Sequence, residues 1–185
     1  KSVELAVQDA EAHNNLGVTL LQLGRTDAAE DHFKKAVALK PDYAESLFNL
    51  GNVSQKRGRI EEAEATYRRA LALKPDFTEA HNELGNMLKS AGRLDECVGS
   101  YERAIALRWD FLEAHNNLGN ALHDLGRLEE AENCFRRALE FRPSNAEVLN
   151  NLGTTLMGRG KLDEAETCFR QAIIHEPHFA EAFNN

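Results

Sequence analysis

The sequence predicts an all-α solenoid of stacked helical hairpins, and three regularities indicate this fold class. The chain has 185 residues and repeats itself every 34 residues. One set of glycines keeps this spacing at Gly17, Gly51, Gly85, Gly119 and Gly153, and a second set follows seven residues later at Gly24, Gly58, Gly92, Gly126 and Gly160. Apolar residues recur at helical spacing on both sides of the second glycine. A fixed period in the thirties is typical of solenoids.

Each repeat is predicted to be two amphipathic helices, as residues 112–145 illustrate. Apolar and small residues recur there at Ala114, Leu118, Ala121, Leu122 and Leu125, then at Leu128, Ala131, Phe135, Ala138 and Leu139. Gly126 is expected to end the first helix, because glycine adopts a left-handed conformation at little cost. Prolines are expected to end second helices at Pro41, Pro75, Pro143 and Pro177. One hairpin cannot bury its apolar face alone, so neighbouring hairpins must stack.

The first glycine of each repeat needs a separate explanation, because it lies inside the first helix. Glycine there costs about 1 kcal/mol relative to alanine. Its recurrence predicts a close approach by the facing helix, which offers small residues such as Ala131 and Ala138. A large ring is expected to fill the space opposite, from Phe33, Tyr67, Tyr101, Phe135 and Phe169. We interpret all these residues as core packing.

At these positions the chain resembles the tetratricopeptide repeat family. The small–large pattern of that family is matched by Leu118, Gly119, Leu122, Gly126, Ala131, Phe135, Ala138 and Pro143. The resemblance implies a right-handed superhelical solenoid that binds peptides or partner helices on the concave surface made by the first helices. It specifies the fold far better than the function, since such repeats serve many partners.

The resemblance divides the chain into five full repeats and two terminal pieces. The repeats span residues 10–43, 44–77, 78–111, 112–145 and 146–179. Residues 1–9 align with the end of a preceding second helix, and residues 180–185 align with the start of a sixth repeat. We therefore expect a single array that is a fragment of a longer chain. Open ends of such an array offer a surface for self-association.

The third repeat departs from the others at four positions. Glu83 stands where the other repeats carry asparagine, Cys97 replaces an alanine, Gly99 interrupts the second helix, and Trp109 replaces the terminating proline. A hinge, a capping defect compensated by Trp109, and sequence drift all fit this pattern. Gly99 predicts lower local stability in the second helix.

Composition narrows the classes of partner and compartment. The net charge is −8 and the pI about 5.4, which gives no electrostatic support to a nucleic-acid partner. No apolar run approaches the roughly 20 residues of a membrane span, and no signal peptide is visible. Three cysteines are an odd number and too few for a disulfide framework. Free thiols favour a reducing compartment, and we expect a cytoplasmic protein.

No motif for catalysis, cofactor binding or metal binding is visible. Phosphate loops, nucleophile elbows and clustered Cys/His spacings are missing, so we expect neither an enzyme nor a cofactor. His13, His81 and His115 share the fourth position of their repeats. Neighbouring repeats lie on the order of 10 Å apart, too far for His81 and His115 to share one metal ion. Packing between first helices explains them better.

Asparagines dominate the face of the first helices that points away from the core. We call this set the asparagine ladder: Asn15, Asn49, Asn52, Asn82, Asn86, Asn116, Asn117, Asn120, Asn150 and Asn151. An asparagine side chain both donates and accepts hydrogen bonds, so such a set can hold a peptide backbone with little sequence preference. Hydrogen bonds between helices are the alternative role, since buried amides are usually satisfied within the structure.

The predicted function is therefore a non-catalytic scaffold that binds an extended polypeptide or a partner helix. Position two of every repeat is a glutamate, at Glu11, Glu45, Glu79, Glu113, Glu147 and Glu181, so the ligand should be neutral or basic. The ladder also resembles the repeat region of O-linked N-acetylglucosaminyltransferases, where it grips substrate polypeptide. That resemblance implies an alternative, the substrate-recognition arm of a protein glycosyltransferase. The charged outer face of the second helices is expected to be solvated surface.

Overall fold

The computed structural model describes residues 2–176, with side chains from Asp9 onward. This part of the chain contains ten α-helices and no strand, as the period predicted. The first helices of the repeats are α1 (Ser2–Gln22), α3 (Ala44–Lys56), α5 (Thr78–Ser90), α7 (Leu112–Asp124) and α9 (Ala146–Gly158). The second helices are α2 (Thr26–Leu39), α4 (Ile60–Leu73), α6 (Leu94–Leu107), α8 (Leu128–Phe141) and α10 (Leu162–His175). The predicted all-α class is confirmed.

The described residues divide into two compact units, and the division falls between Met87 and Leu88, inside α5. In the N-terminal unit, α1 packs on α2, α2 on α3, and α3 on α4. In the C-terminal unit, α7 packs on α6 and α8, and α9 on α8 and α10. First helices also contact each other directly, α1 with α3 and α7 with α9. Each unit is thus a stack of antiparallel hairpins.

The glycine turn that ends each first helix has one geometry throughout the described residues. Gly126 has φ +74°, and the other four turn glycines have φ between +70° and +76°. The Gly126 amide donates to the His123 carbonyl and the Arg127 amide to the Leu122 carbonyl, both at 2.9 Å. These two bonds satisfy the last carbonyls of α7 and form a Schellman motif. Only glycine adopts such a positive φ without strain, which explains the recurrence.

The first glycine of the repeat makes the close contact that the sequence predicted. A methyl group built on Gly119 would lie 2.6 Å from Cε1 of Phe135. The same 2.6 Å separation is found for Gly17 with Phe33, Gly51 with Tyr67, and Gly153 with Phe169. The Phe135 ring is buried and lies directly against the α7 backbone. Glycine at this position therefore serves packing, and the ring fixes the distance between the two helices.

Helix α1 corrects one predicted boundary. It runs without a break from Ser2 to Gln22, so residues 2–9 continue into the first repeat instead of ending a separate second helix. Val7 occupies the place that Pro41 holds one repeat later, so no proline interrupts the helix here. The predicted pieces at Pro177 and at residues 180–185 lie outside the described residues.

The third repeat is more regular than its sequence suggests. Helix α6 continues through Gly99, and the lower local stability expected there stays a prediction. It ends at Leu107, at the same place in the repeat as α2, α4 and α8, although Trp109 replaces the proline. The Arg108 amide still donates to the Ala104 carbonyl at 2.9 Å. The end of this helix therefore does not depend on proline.

Candidate functional site

The fifth-position asparagine of one repeat ties its first helix to the next first helix. In the C-terminal unit, Asn116 Oδ1 on α7 accepts a hydrogen bond from Asn151 Nδ2 on α9 at 3.1 Å. Asn116 Nδ2 donates to Glu147 Oε1 at 3.0 Å. The Asn116 side chain is buried, with 6% of its surface exposed. A single amide thus holds two polar side chains of the neighbouring repeat.

The N-terminal unit repeats this arrangement between α1 and α3. Asn14 Oδ1 accepts from Asn49 Nδ2 at 3.0 Å and from Ser46 Oγ at 2.9 Å. Asn14 is buried and Asn49 is half-buried. The same bond thus occurs once in each unit, between α1 and α3 and between α7 and α9.

These contacts revise the predicted ladder. Asn82 and Asn116 are buried, with 1% and 6% of their surfaces exposed, so the direct peptide contact predicted for them does not fit. Buried amides must be satisfied from within the protein, and Asn116 is satisfied by the next repeat. Asn116 therefore has the alternative role, hydrogen bonding between helices. Its partner in the next repeat is Asn151, which holds the same repeat position as Asn49. Sequence alone could not separate positions five and six, since both lie near the same helix face.

Ninth-position asparagines in the N-terminal unit also have partners. The hydroxyl of Tyr67 lies 2.6 Å from Asn52 Oδ1 and 2.8 Å from Gln55 Oε1. Asn86 Nδ2 donates to Glu83 Oε2 at 3.3 Å. Tyr67 carries this hydroxyl where Phe135 does not, so Asn52 is fixed by a bond that is missing for its counterpart Asn120.

The C-terminal unit presents a small polar cleft on the first-helix face. It has a volume of about 110 Å³ and lies between α7 and α9. Its lining consists of Asn120, His123, Phe135, Asn151, Thr154 and Thr155. We call it the first-helix cleft. It brings together two residues of the predicted ladder, Asn120 and Asn151.

The two asparagines of the first-helix cleft are held differently. Asn120 is half-buried, and within the described residues its side chain forms no hydrogen bond. Asn151 donates its amide to Asn116, which orients its oxygen. The remaining ladder residues are placed as follows: Asn15 is exposed on α1, Asn117 is half-buried on α7, and Asn150 is half-buried on α9. The cleft can thus offer a donor and two acceptors to a ligand.

A buried glutamate interlocks the repeats on the other side of the stack, and the sequence pattern did not predict this contact. The Glu132 side chain on α8 is 6% exposed and is surrounded by three cations. Arg136 lies at 2.9 Å and Lys161 at 3.0 Å, and Arg159 also pairs with it. Burial raises the pKa of Glu132, but hydrogen bonds from Lys161, Arg136 and Arg159 outweigh burial, so the pKa is lowered overall.

The N-terminal unit has the same interlock three repeats earlier. Glu30 is 5% exposed and pairs with Lys34 at 2.6 Å, Arg57 at 2.8 Å and Arg59 at 2.8 Å. Spacing four residues apart made Glu30 and Lys34 resemble a solvated surface pair. The signal that would have found the interlock is a pair of basic residues 27 and 29 residues after the glutamate. These cations come from the glycine turn of the following repeat.

Histidines do not form a metal centre in the described part of the chain. No group of three or more His, Cys, Asp or Glu side chains there is arranged to hold a metal ion. His81 Nε2 lies 3.0 Å from the Pro75 carbonyl, and His115 Nε2 lies 2.9 Å from the Trp109 carbonyl. These two residues fasten the start of a first helix to the preceding loop, which replaces the predicted contact between first helices. His13 instead contacts His32, with 2.8 Å between their Nδ1 atoms.

A profile of the tetratricopeptide repeat matches residues 8–76, 76–144 and 110–173. The chain belongs to the tetratricopeptide repeat family. Among curated protein sequences, none matches this chain significantly. From Ser2 to Glu176, no helix is both long enough and apolar enough to cross a membrane.

Several solved structures share the fold at low sequence identity. A crystal structure of MamA superposes with a TM-score of 0.80 at 24% identity, over 89% of this chain and 96% of that one. YrrB, described as a tetratricopeptide repeat protein with an unusual peptide-binding site, gives 0.78 at 23% identity, over 96% and 93%. PilF of Pseudomonas aeruginosa gives 0.80 at 22% identity, over 100% and 87%. At such identities the likeness establishes the fold alone.

Proposed function

We propose that this chain is a non-catalytic protein-binding module whose first-helix face holds an extended polypeptide. The observation that carries the proposal is the first-helix cleft, where the Asn120 amide has no hydrogen bond within the described residues and Asn151, whose amide nitrogen bonds to Asn116, lines the same space. Membership of the tetratricopeptide repeat family supports a protein ligand in general. The peptide-binding site named for YrrB makes the same ligand class reasonable for a chain of this fold.

The chemistry of the cleft suits a peptide backbone. Asn120 can donate to a backbone carbonyl and accept from a backbone amide, and the Asn151 oxygen can accept a second amide. Successive repeats lie on the order of 10 Å apart, and an extended chain rises about 3.3 Å per residue. One repeat therefore serves about three residues of the ligand. Backbone contacts of this kind give affinity with little dependence on the ligand sequence.

The buried asparagine acts as a positioning residue in this proposal. Asn116 holds the Asn151 amide and the Glu147 carboxylate at 3.1 Å and 3.0 Å, so both point in fixed directions before a ligand arrives. Preorganisation of this kind reduces the entropy that binding must overcome. The ladder residues thus divide into two layers, a buried layer that orients and an outer layer that contacts the ligand.

Charge favours a neutral or basic ligand. Glu113 and Glu147 are exposed at the start of α7 and α9, next to the ladder. The whole chain carries a net charge of −8. An acidic peptide would meet like charge along this face.

The alternative from the sequence, a recognition arm for a protein glycosyltransferase, would use the same face. It stays a prediction. The bonds of Asn116, Asn49 and Asn151 to neighbouring helices give it no additional support, because they occupy part of the ladder on which the resemblance rests.

The test compares two asparagine variants on opposite faces of the same unit. Asn120→Ala removes a cleft amide that has no internal hydrogen bond, whereas Asn133→Ala removes an exposed amide on α8. A peptide selected from a random displayed library against the wild-type protein is titrated by calorimetry. We expect Asn120→Ala to weaken binding about tenfold, with an unchanged melting temperature, and Asn133→Ala to have no effect. Equal affinities for the three proteins would refute the proposal.

A further inference from the structure

A second and larger cleft lies on the opposite side of the C-terminal unit, between α6 and α8. Its volume is about 410 Å³, within the usual range of about 300–1,000 Å³ for binding pockets. Ile105 and Ala106 of α6, His115 and Leu118 of α7, and Cys134 of α8 form its wall. Glu102, Asn133 and Arg137 complete its rim. We call it the second-helix cleft. The sequence predicts only solvated surface here.

The cleft is lined in part by the fourth position of the repeat, where the repeats differ in sequence. Leu47 and Leu149 hold that position in the second and fifth repeats, and both are buried, with 0% and 3% exposed. The fourth repeat carries His115 instead. Its Nε2 bonds to the Trp109 carbonyl at 2.9 Å, so the ring is drawn toward the preceding loop. His115 thus lines the cleft at the position that leucine holds in the second and fifth repeats.

The wall of the cleft carries no charge at neutral pH. Burial lowers the pKa of His115, although its bond to the Trp109 carbonyl opposes this shift. Burial also raises the pKa of Cys134 to about 11, so its thiol stays protonated. Charges occur only at the rim, with Glu102 on α6 and Arg137 on α8, where Arg137 pairs with Glu140 at 2.5 Å. An uncharged apolar group suits this wall, and a charged group would lose its hydration without gaining a partner.

An aromatic cluster extends the apolar surface beyond one end of the cleft. The Phe141 ring centre lies 5.8 Å from that of His115 and 5.3 Å from that of Trp109. Trp109 is 66% exposed, packed edge-on against Phe141. Exposed tryptophan next to a pocket is typical of the residues that dominate binding energy at protein interfaces. The apolar surface thus continues from the cleft across Phe141 to Trp109.

We propose that the second-helix cleft is a separate docking site that takes a bulky uncharged side chain from an amphipathic partner helix. The apolar anchor would enter between Ile105, Leu118 and Cys134, and the helix would continue across Phe141 and Trp109. The rims carry opposite charges, so the partner helix is expected to present a basic residue toward Glu102 and an acidic residue toward Arg137. Anchors three or four residues apart along that helix can reach both the cleft and Trp109.

The test uses a displayed library of helical peptides with one randomised face, selected against the full chain. Ala106→Glu places a carboxylate in the cleft at an exposed helical position. Its matched control is Ala72→Glu, which changes an exposed alanine at the same position of an earlier repeat. Affinity is read from the emission of Trp109, because the chain contains a single tryptophan. Melting curves establish that both variants are folded.

We expect the selected peptides to share a bulky apolar residue and to shift the emission of Trp109. Ala106→Glu should weaken them at least about tenfold, while Ala72→Glu and Asn120→Ala leave affinity unchanged. Undiminished binding to Ala106→Glu overturns the proposal. Loss of binding in Asn120→Ala also overturns it, since the peptides would then use the first-helix face. If indole binds and no peptide is enriched, the cleft is a small-molecule site and the proposal is overturned. If the chain self-associates and Ala106→Glu abolishes the self-association, the occupant is a second copy of the chain and the proposal is also overturned.

Discussion

At the scale of single residues, the glycines inside α1, α3, α7 and α9 are required by the aromatic rings that they face. No Cβ fits at Gly119 unless the Phe135 ring moves, because the two would lie 2.6 Å apart. Helix propensity favours alanine by about 1 kcal/mol, so packing outweighs propensity at this position. The ring and the glycine together determine how closely α7 and α8 approach.

Gly119→Ala should therefore destabilise the protein by about 2 kcal/mol, in spite of the better helix propensity. Urea unfolding followed by circular dichroism measures this. The double variant with Phe135→Leu should cost less than the sum of the two single changes, because the smaller side chain leaves room for the methyl group. Additive costs would show that the clash is not the cause.

The lowered pKa of Glu132 makes the free energy of unfolding depend on pH. Its pKa in the folded chain is lowered from the ordinary value of 4.5, so its stabilisation is present above that value and is lost as pH falls through the folded pKa. Glu132→Gln should reduce stability by about 1 kcal/mol at pH 7, a figure discounted because the three cations are partly exposed. The deficit should shrink as the pH approaches 3 in unfolding curves.

The control for Glu132 is the same position in the next repeat. Glu166 is exposed and pairs with Arg170 at 2.6 Å, so Glu166→Gln should change stability by no more than a few tenths of a kcal/mol at any pH. A deficit of the Glu132 variant that stays constant from pH 7 to 3 would contradict the assigned role.

At the scale of helices, α6 contains a glycine without a packing reason. Gly99 is exposed, has an ordinary helical backbone, and a methyl group there would meet nothing within 4 Å. Gly99→Ala should stabilise the protein by about 1 kcal/mol. Amide hydrogen exchange in residues 96–106 should become slower, because the free energy of local opening should rise by a similar amount. Unchanged exchange in that segment would show that Gly99 does not limit the stability of α6.

The helices themselves could be predicted because most of their boundaries carry a local signal and all of them follow the period. Gly126 ends α7 through its positive φ, and Pro143 follows the end of α8 as expected. Residues 1–9 were expected to end a preceding second helix, whereas α1 runs unbroken from Ser2 to Gln22, with Val7 at the place of a proline. Helix α6 ends at Leu107, the usual position in the repeat, although Trp109 replaces the proline. The period therefore specifies helix ends even where one local signal is missing.

At the scale of the whole molecule, the period predicted the fold but not the contacts between repeats. A 34-residue repeat indicates which residues are equivalent and which helix face is apolar. It does not state that Glu132 would be buried against Arg159 and Lys161, because those partners lie 27 and 29 residues away. The same limit applies to Asn116, whose bond to Asn151 crosses from one repeat to the next. Polar contacts between repeats require the three-dimensional distance between helices.

The charge of the molecule predicts how ligand binding depends on salt. With a net charge of −8 and exposed glutamates beside the first-helix cleft, a basic peptide should bind faster and more tightly than its neutral analogue at low salt. The advantage should fall when ionic strength rises from about 0.05 M to 0.5 M, because the Debye length becomes shorter. Titrations of lysine-bearing and glutamine-bearing versions of one peptide measure it. A salt-independent difference would assign the preference to direct contacts.

The central claim is that a polypeptide binds the first-helix face of the C-terminal unit, and side-chain amide resonances test it most directly. In ¹⁵N-labelled protein, the amide groups of Asn120, Asn151 and Asn133 give separate signals that can be assigned by substitution. Titration with the peptide selected from the random library should shift the Asn120 and Asn151 signals and leave Asn133 unchanged. Shifts at Asn133 with none at Asn120 or Asn151 would place the ligand on the second helices and contradict the account.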